Sequence, residues 1–188
     1  MNIYDVHIKN GEIIDGTGAP KFKSDIVIDS GKIIGVFPAE NGDVRDPSEN
    51  HFLSNFEAKL TINAENKIVS PGFIDVHTHD DDNVFLDPSM SSKISQGVTT
   101  CVAGNCGISL APFSYKGEVP APIALLGKSE VFRFPRVNDY KKEFNNKPSS
   151  VNLALLTGHS MLRVEAMNGE FDRPATSKEI SKMVDKLK

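Results

Sequence analysis

His77, Thr78 and His79 follow the apolar run Phe73-Ile74-Asp75-Val76, and Asp80-Asp81 follow them. Side chains alternate along a strand. A strand over 73–78 therefore projects His77 and His79 to one side, two rungs apart, with Phe73 and Asp75 below them. Two imidazoles on one face can chelate a divalent metal. Cys106 sits in Gly104-Asn105-Cys106-Gly107, just past a second apolar run from Val98 to Ala103. It can supply a thiolate beside the two rings. A His-x-His pair alone is a weak signal. The same pair before Asp80-Asp81, after Pro71-Gly72 and an apolar strand, with a cysteine at the next strand end, is a strong one.

From residue 73 the chain alternates apolar strand, polar loop and helix. Strands are predicted over 73–78, 98–103 and 151–157. The run 98–103 is nearly continuous in apolar residues, as suits a sheet buried on both faces. Helices are predicted over 90–96 and 138–144. A last helix opens at Thr176, where Glu179 three positions on completes a capping box. Ile180, Met183, Val184 and Leu187 follow at helical spacing. Residues 107–137 are rich in proline (112, 120, 122 and 135) and read as a long loop with at most a short helix near 123–126. Parallel βα units gather functional groups at the carboxyl ends of their strands. That places His77 and His79 at the first strand end, Cys106 at the second and His159 at the third.

The first 69 residues read differently. Tyr4, Val6 and Ile8 alternate with polar residues, and Asn10-Gly11 predicts a hairpin turn. Ser30-Gly31 predicts another. Residues 39–58 are polar and irregular, which predicts a solvated loop. A further hairpin is expected where 60–62 and 67–69 flank Ala64-Glu65-Asn66. The division is thus a β-layer at 1–69 and an α/β part at 70–188.

Composition narrows the function classes. The formal charge is −4, and apolar residues make up 39% of the 188. Without a basic patch interleaved with aromatics, nucleic acid is not an expected partner. No charged-then-apolar leader opens the chain. No apolar stretch reaches the roughly 18 residues a membrane helix needs, so a membrane is not expected either. Cys101 and Cys106 lie too close along one extended segment for a disulfide. A reducing, cytoplasmic setting is the expectation.

Three segments resemble the amidohydrolase superfamily, and within it the N-acyl-D-amino-acid deacylases (D-aminoacylases). They are Pro71 to Asp81, Lys93 to Thr100 and Gly104 to Pro112, with Gly158-His159-Ser160 and Leu162-Arg163 as a further match. The resemblance implies a (β/α)8 barrel of the triosephosphate-isomerase type beside a small β-sandwich. It implies one or two zinc ions, held by Cys106 with histidines of later strands and by His77 and His79. It implies hydrolysis of the amide bond of a small N-acyl-D-amino acid, with an aspartate of the last barrel strand as general base. Cys106 discriminates within the superfamily, because cyclic amidases such as hydantoinase or dihydroorotase bridge their metals with a carbamylated lysine.

Residues 70–188 are far fewer than the roughly 200 a barrel needs. The expectation is therefore an incomplete barrel of about three βα units, with no catalytic residue of its own. Such a half-barrel would self-associate or pair with a chain that supplies the missing strands. The alternatives are an inactive, self-associating remnant and a cyclic amidase.

Plainer readings stand beside these. His77 and His79 can hydrogen-bond structurally at a strand end, and Cys106 can be a small buried hydrophobe. Cys101, mid-strand, suits packing. Asp80 and Asp81 either cap a turn or orient a ligand imidazole. Asp75 shares the histidine face and has the same two readings. His159 can support the site without ligating. Arg163 can meet a carboxylate or serve a helix start. His7 and His51 carry no assignment.

Overall fold

A computed structural model of the chain describes residues 2–38, 56–121, 123–170 and 172–188. It divides into two units, Met1–Pro71 and Gly72–Lys188.

The first unit is one sheet of β1 (Asn2–Ile13), β2 (Phe22–Asp29), β3 (Lys32–Pro38), β4 (Phe56–Asn63) and β5 (Ile68–Val69). The order is β3-β2-β1-β4, with β5 also on β1. Ser30 and Gly31 both take left-handed φ, 49° and 73°, the twist that a two-residue hairpin between β2 and β3 needs.

Asn10-Gly11 makes no hairpin. β1 runs straight through it, and its register against β2 shifts between Ile8 and Gly11. Asn10 has φ 62°. A bulge and a tight turn ask for the same left-handed residue, and only the partner strand tells them apart. The hairpin expected over 60–69 is also absent. β4 and β5 both lie parallel to β1 and share its edge, offset by a turn in which Lys67 N–H donates to the Ala64 carbonyl at 2.9 Å. Of the loop expected over 39–58, residues 39–55 lie outside the described residues, and 56–58 already belong to β4. Ile13, Ile26, Val27 and Ala64 are buried in this unit.

The second unit holds a parallel sheet of β6 (Phe73–Asp75), β7 (Val98–Ala103) and a strand at Asn152–Leu155, with β7 in the middle. Between β6 and β7 come α1 (Asn83–Leu86) and α2 (Ser91–Ile94). After β7 come β8 (Phe113–Ser114), two single 3-10 turns (Ala124–Leu126 and Ser129–Val131), β9 (Arg133–Phe134) and α3 (Val137–Asn146). The strand Asn152–Leu155 is β10, followed by α4 (His159–Ala166) and α5 (Ser177–Leu187). The fold is α/β, with helices in the connections between the parallel strands.

Four details depart from expectation. β6 stops at Asp75 rather than Thr78, though Thr78 N–H still reaches the Val102 carbonyl of β7 at 3.2 Å. The proline-rich stretch contains the β8–β9 pair. The helices α1 and α4 were not anticipated. On α5, Met183 packs with Leu162 and Ala166, while Ile180, Val184 and Leu187 remain exposed.

The core beneath the sheet is built of Val84, Met90, Cys101, Leu110, Phe113, Phe132, Phe134, Tyr140 and Met161. Tyr140 meets Phe85 and Phe134 edge-on, with ring centroids 5.1 and 5.0 Å away, the arrangement the ring quadrupoles favour. No helix among the described residues is long and apolar enough to cross a membrane.

Candidate metal centre

His77, Thr78 and His79 lie just beyond the end of β6, in irregular chain that bends at His77. Their rings nevertheless adjoin, with centroids 5.9 Å apart and planes at 72°. His77 Nε2 lies 3.0 Å from Cys106 Sγ. One ligand atom from each of His77, His79 and Cys106 lies within 4.8 Å of the others. His77 and Cys106 are exposed and His79 half-buried. The Nδ1 of His79 is buried with no hydrogen-bond partner.

The thiol owes its place to an unusual turn at the end of β7. Gly104, Cys106 and Gly107 all adopt left-handed φ, 81°, 56° and 75°. Cys106 is thus an L-residue in a conformation that such residues avoid, and strain of this kind clusters at functional sites. The Asn105 side chain ties the turn down by donating to the Val102 carbonyl at 2.6 Å. Gly104 has no substitute here, since a Cβ on it would sit 2.1 Å from the Leu156 carbonyl oxygen. The buried Ser109 hydroxyl donates to the Ala111 carbonyl at 2.6 Å and accepts the Gly158 N–H at 2.9 Å. That joins the cysteine loop to the chain leaving β10.

The acidic candidates separate by environment. Asp75 and Asp80 both pair with Lys93 Nζ, at 2.6 and 2.9 Å. The Lys93 ammonium holds the Asp75 carboxyl below its ordinary range, and Asp75 chiefly holds the lysine above its own. Asp81 is different. It is fully buried, and burial pushes its carboxyl up. The backbone N–H groups of Gly104 and Leu110 lie close enough to favour its ionised form, yet neither carboxylate oxygen has a partner of hydrogen-bond geometry. The Asp81 carbonyl accepts the Tyr140 hydroxyl at 2.6 Å.

His159 is exposed at the start of α4 and lies outside the three-residue cluster. Arg163 donates to the Arg173 carbonyl at 3.2 Å. Cys101 is fully buried, and burial raises its thiol. Lys93 was not singled out from the sequence. Its carboxylate partners lie 18 and 13 positions back, beyond any helical or strand spacing.

The sequence profile of the amidohydrolase family matches residues 60–185. This chain belongs to the amidohydrolase family. A D-aminoacylase of Alcaligenes xylosoxydans xylosoxydans is 38% identical to this amidohydrolase over 182 residues, 97% of this chain and 34% of that protein. A solved D-aminoacylase, described for the functional role of its binuclear metal centre, matches with a TM-score of 0.83 and 40% identity. The match covers 97% of this chain and 35% of that one. The N-acyl-D-glutamate deacylase of Bordetella bronchiseptica, solved with zinc and a phosphonate inhibitor, gives a TM-score of 0.82 at 36% identity. It covers 99% of this chain and 36% of that one. This amidohydrolase thus spans about a third of the length of the relatives it matches.

Proposed function

We propose that this chain forms the amino-terminal, metal-holding portion of a zinc-dependent N-acyl-D-amino-acid deacylase. The observation that carries the reading is the convergence of His77, His79 and Cys106 from two strand ends. The donor set fits zinc, which takes imidazole nitrogen and thiolate sulfur readily. The unpartnered, buried Nδ1 of His79 is a further sign, because buried polar atoms without partners are rare.

When bound, zinc supplies a Lewis acid for amide hydrolysis. His77, His79 and Cys106 hold it. Asp81 sets a buried negative charge beside the cation site, and Asp75 and Asp80 brace the histidine segment. His159 supports the site from α4 without ligating. The general base belongs to sequence other than these residues, as the resemblance implies. In this reading the small molecule turned over is an N-acyl-D-amino acid, whose side chain is chosen by other loops.

The architecture follows the same reading. β6, β7 and β10 correspond to three consecutive strands of a (β/α)8 barrel, and residues 1–69 to strands of the flanking sandwich. Phe73, Ile74 and Val76 are each 59–69% exposed, which supports self-association or pairing with a chain that covers them. Two free cysteines suit a reducing, cytoplasmic compartment.

The test is metal binding by the 188-residue chain followed by an activity assay. Cobalt, a spectroscopic substitute for zinc, is expected to bind weakly and reversibly, with a thiolate charge-transfer band absent from Cys106→Ala. Binding that ignores Cys106→Ala, or no binding at all, overturns the metal reading. Turnover of N-acetyl-D-amino acids by the zinc-loaded chain, lost in Cys106→Ala, would set aside the inactive-remnant alternative.

A further inference from the structure

The segment from Asp75 to Asp80 carries both imidazoles, yet its shape is set from outside itself. Asp75 and Asp80 stand at its two ends and Thr78 near its middle. All three offer oxygen to one atom. Lys93 Nζ lies 2.6 Å from Asp75 Oδ2, 2.9 Å from Asp80 Oδ2 and 3.4 Å from Thr78 Oγ1. An ammonium has three N–H donors, so three acceptors match it fully. No donor is left over for a substrate.

Each acceptor is itself fastened to the segment. Asp75 Oδ1 accepts the His77 backbone N–H at 3.3 Å. Asp80 Oδ2 accepts the Thr78 hydroxyl, and the Asp80 N–H returns to Thr78 Oγ1 at 3.2 Å. The lysine is anchored as well. It rides on α2, which leaves Met90 at a left-handed φ of 46°, and the Met90 side chain is fully buried in the core. The lysine side chain is 20% exposed and Asp80 17%, so the contacts are screened less than open surface pairs. Without the cation, two carboxylates at the ends of a short segment would face each other unneutralised.

We propose that Lys93 is a positioning residue, whose ammonium gathers Asp75, Thr78 and Asp80 and so sets where His77 and His79 stand relative to Cys106. The inference rests on the metal reading above. Lys93 acts through the backbone and neighbours of the two histidines, not on the donor atoms. It therefore governs how well the three donors converge rather than whether they exist.

Cobalt titration of the full 188-residue chain tests this, read by the charge-transfer band and by calorimetry. Lys93→Met, which keeps an apolar stem and removes the charge, should weaken cobalt binding about 10- to 100-fold, the range seen when groups that orient ligands are lost. The band per bound metal should change as well. Lys93→Arg should recover most of the affinity, because a guanidinium can still span two carboxylates. A residue that only stabilises the fold would lower the melting temperature and leave affinity and band alone. That result for a folded Lys93→Met overturns the proposal. If Lys93→Met does not fold by circular dichroism, Asp75→Asn and Asp80→Asn take its place, each removing one tether. A weaker affinity in either sustains the proposal, and wild-type affinity in both overturns it. A wild-type chain that binds no cobalt sinks the metal reading itself and this inference with it. That outcome is distinct from a wild type that binds and a Lys93→Met that binds equally well.

Discussion

Gly104 lies so close to the Leu156 carbonyl that a single added methyl would stand 2.1 Å from that oxygen. The glycine also has φ 81°. Gly104→Ala combines a left-handed alanine with a backbone clash and should lower the unfolding free energy by about 3 kcal/mol or more. Gly16 has the same φ but nothing within 4 Å of a built Cβ, so Gly16→Ala should lose only about 1–2 kcal/mol. Urea denaturation of the two variants separates the clash from the dihedral. Equal losses would count against the close approach.

The Tyr140 hydroxyl is spent on the Asp81 carbonyl, at 2.6 Å inside the core. Tyr140→Phe keeps the ring packing and leaves that carbonyl unmatched. A loss of about 1–3 kcal/mol is expected in thermal or chemical unfolding, the range for a buried group deprived of its partner. No loss would mean that the carbonyl finds another donor.

Asp81→Asn should part stability from metal binding. The carboxyl is fully buried, its oxygens have no partner of full hydrogen-bond geometry, and burial outweighs the nearby Gly104 and Leu110 N–H groups, so the neutral amide should leave the metal-free chain as stable as before or more so. Cobalt affinity should fall, because a buried negative charge near the donors is removed. Functional sites commonly trade stability in this direction. A variant that is less stable yet binds cobalt normally would assign Asp81 to the fold alone.

Acid should loosen α5 first at its amino end. Arg173, and after it the Thr176 N–H and hydroxyl, hold the Glu179 carboxyl well below the ordinary glutamate value of 4.5. The stability from this pairing is complete above that ordinary value and is lost as pH falls through the lower folded one. Wild-type helix signal should thus decline in the acid range in step with Glu179 titration, and Glu179→Gln should remove that part of the decline. Thr176→Ala, which deletes the reciprocal cap, should cost about 1 kcal/mol at neutral pH. A pH profile identical in wild type and Glu179→Gln would refute the assignment.

What could be read from the chain follows the range of the interaction. The Thr176–Glu179 cap is settled by residues three apart and stood in plain view. So did β7, a largely apolar, β-branched run between Gly97 and Gly104. The residues Asn10-Gly11 serve a bulge or a turn equally well, and only pairing with β2 decides for the bulge. β4 and β5 look like two arms of a hairpin because they are short and close together, but each answers to β1 instead. At the candidate site, alternation along a strand suggested that His77 and His79 face the same way. In fact β6 ends at Asp75, and the rings adjoin through an irregular segment. Lys93 left no local trace, because its two carboxylates lie 13 and 18 positions earlier, one at the end of β6 and one in the loop after it. The buried state of Asp81 was equally hidden, since adjacent aspartates look alike until one of them meets the core.

β1 receives β2 on one edge and, on the other, partners supplied much later: residue 2 pairs with residue 56, and residue 13 with residue 69. Parallel partners so far apart close a large loop before any bond rewards them. During translation, β1, β2 and β3 can zip together at once, but one flank of β1 stays bare until residue 69 clears the ribosomal tunnel. For that interval the nascent chain offers an open row of amides and carbonyls to its neighbours on a polysome, and the speed at which codons 39–69 are read sets how long it does so.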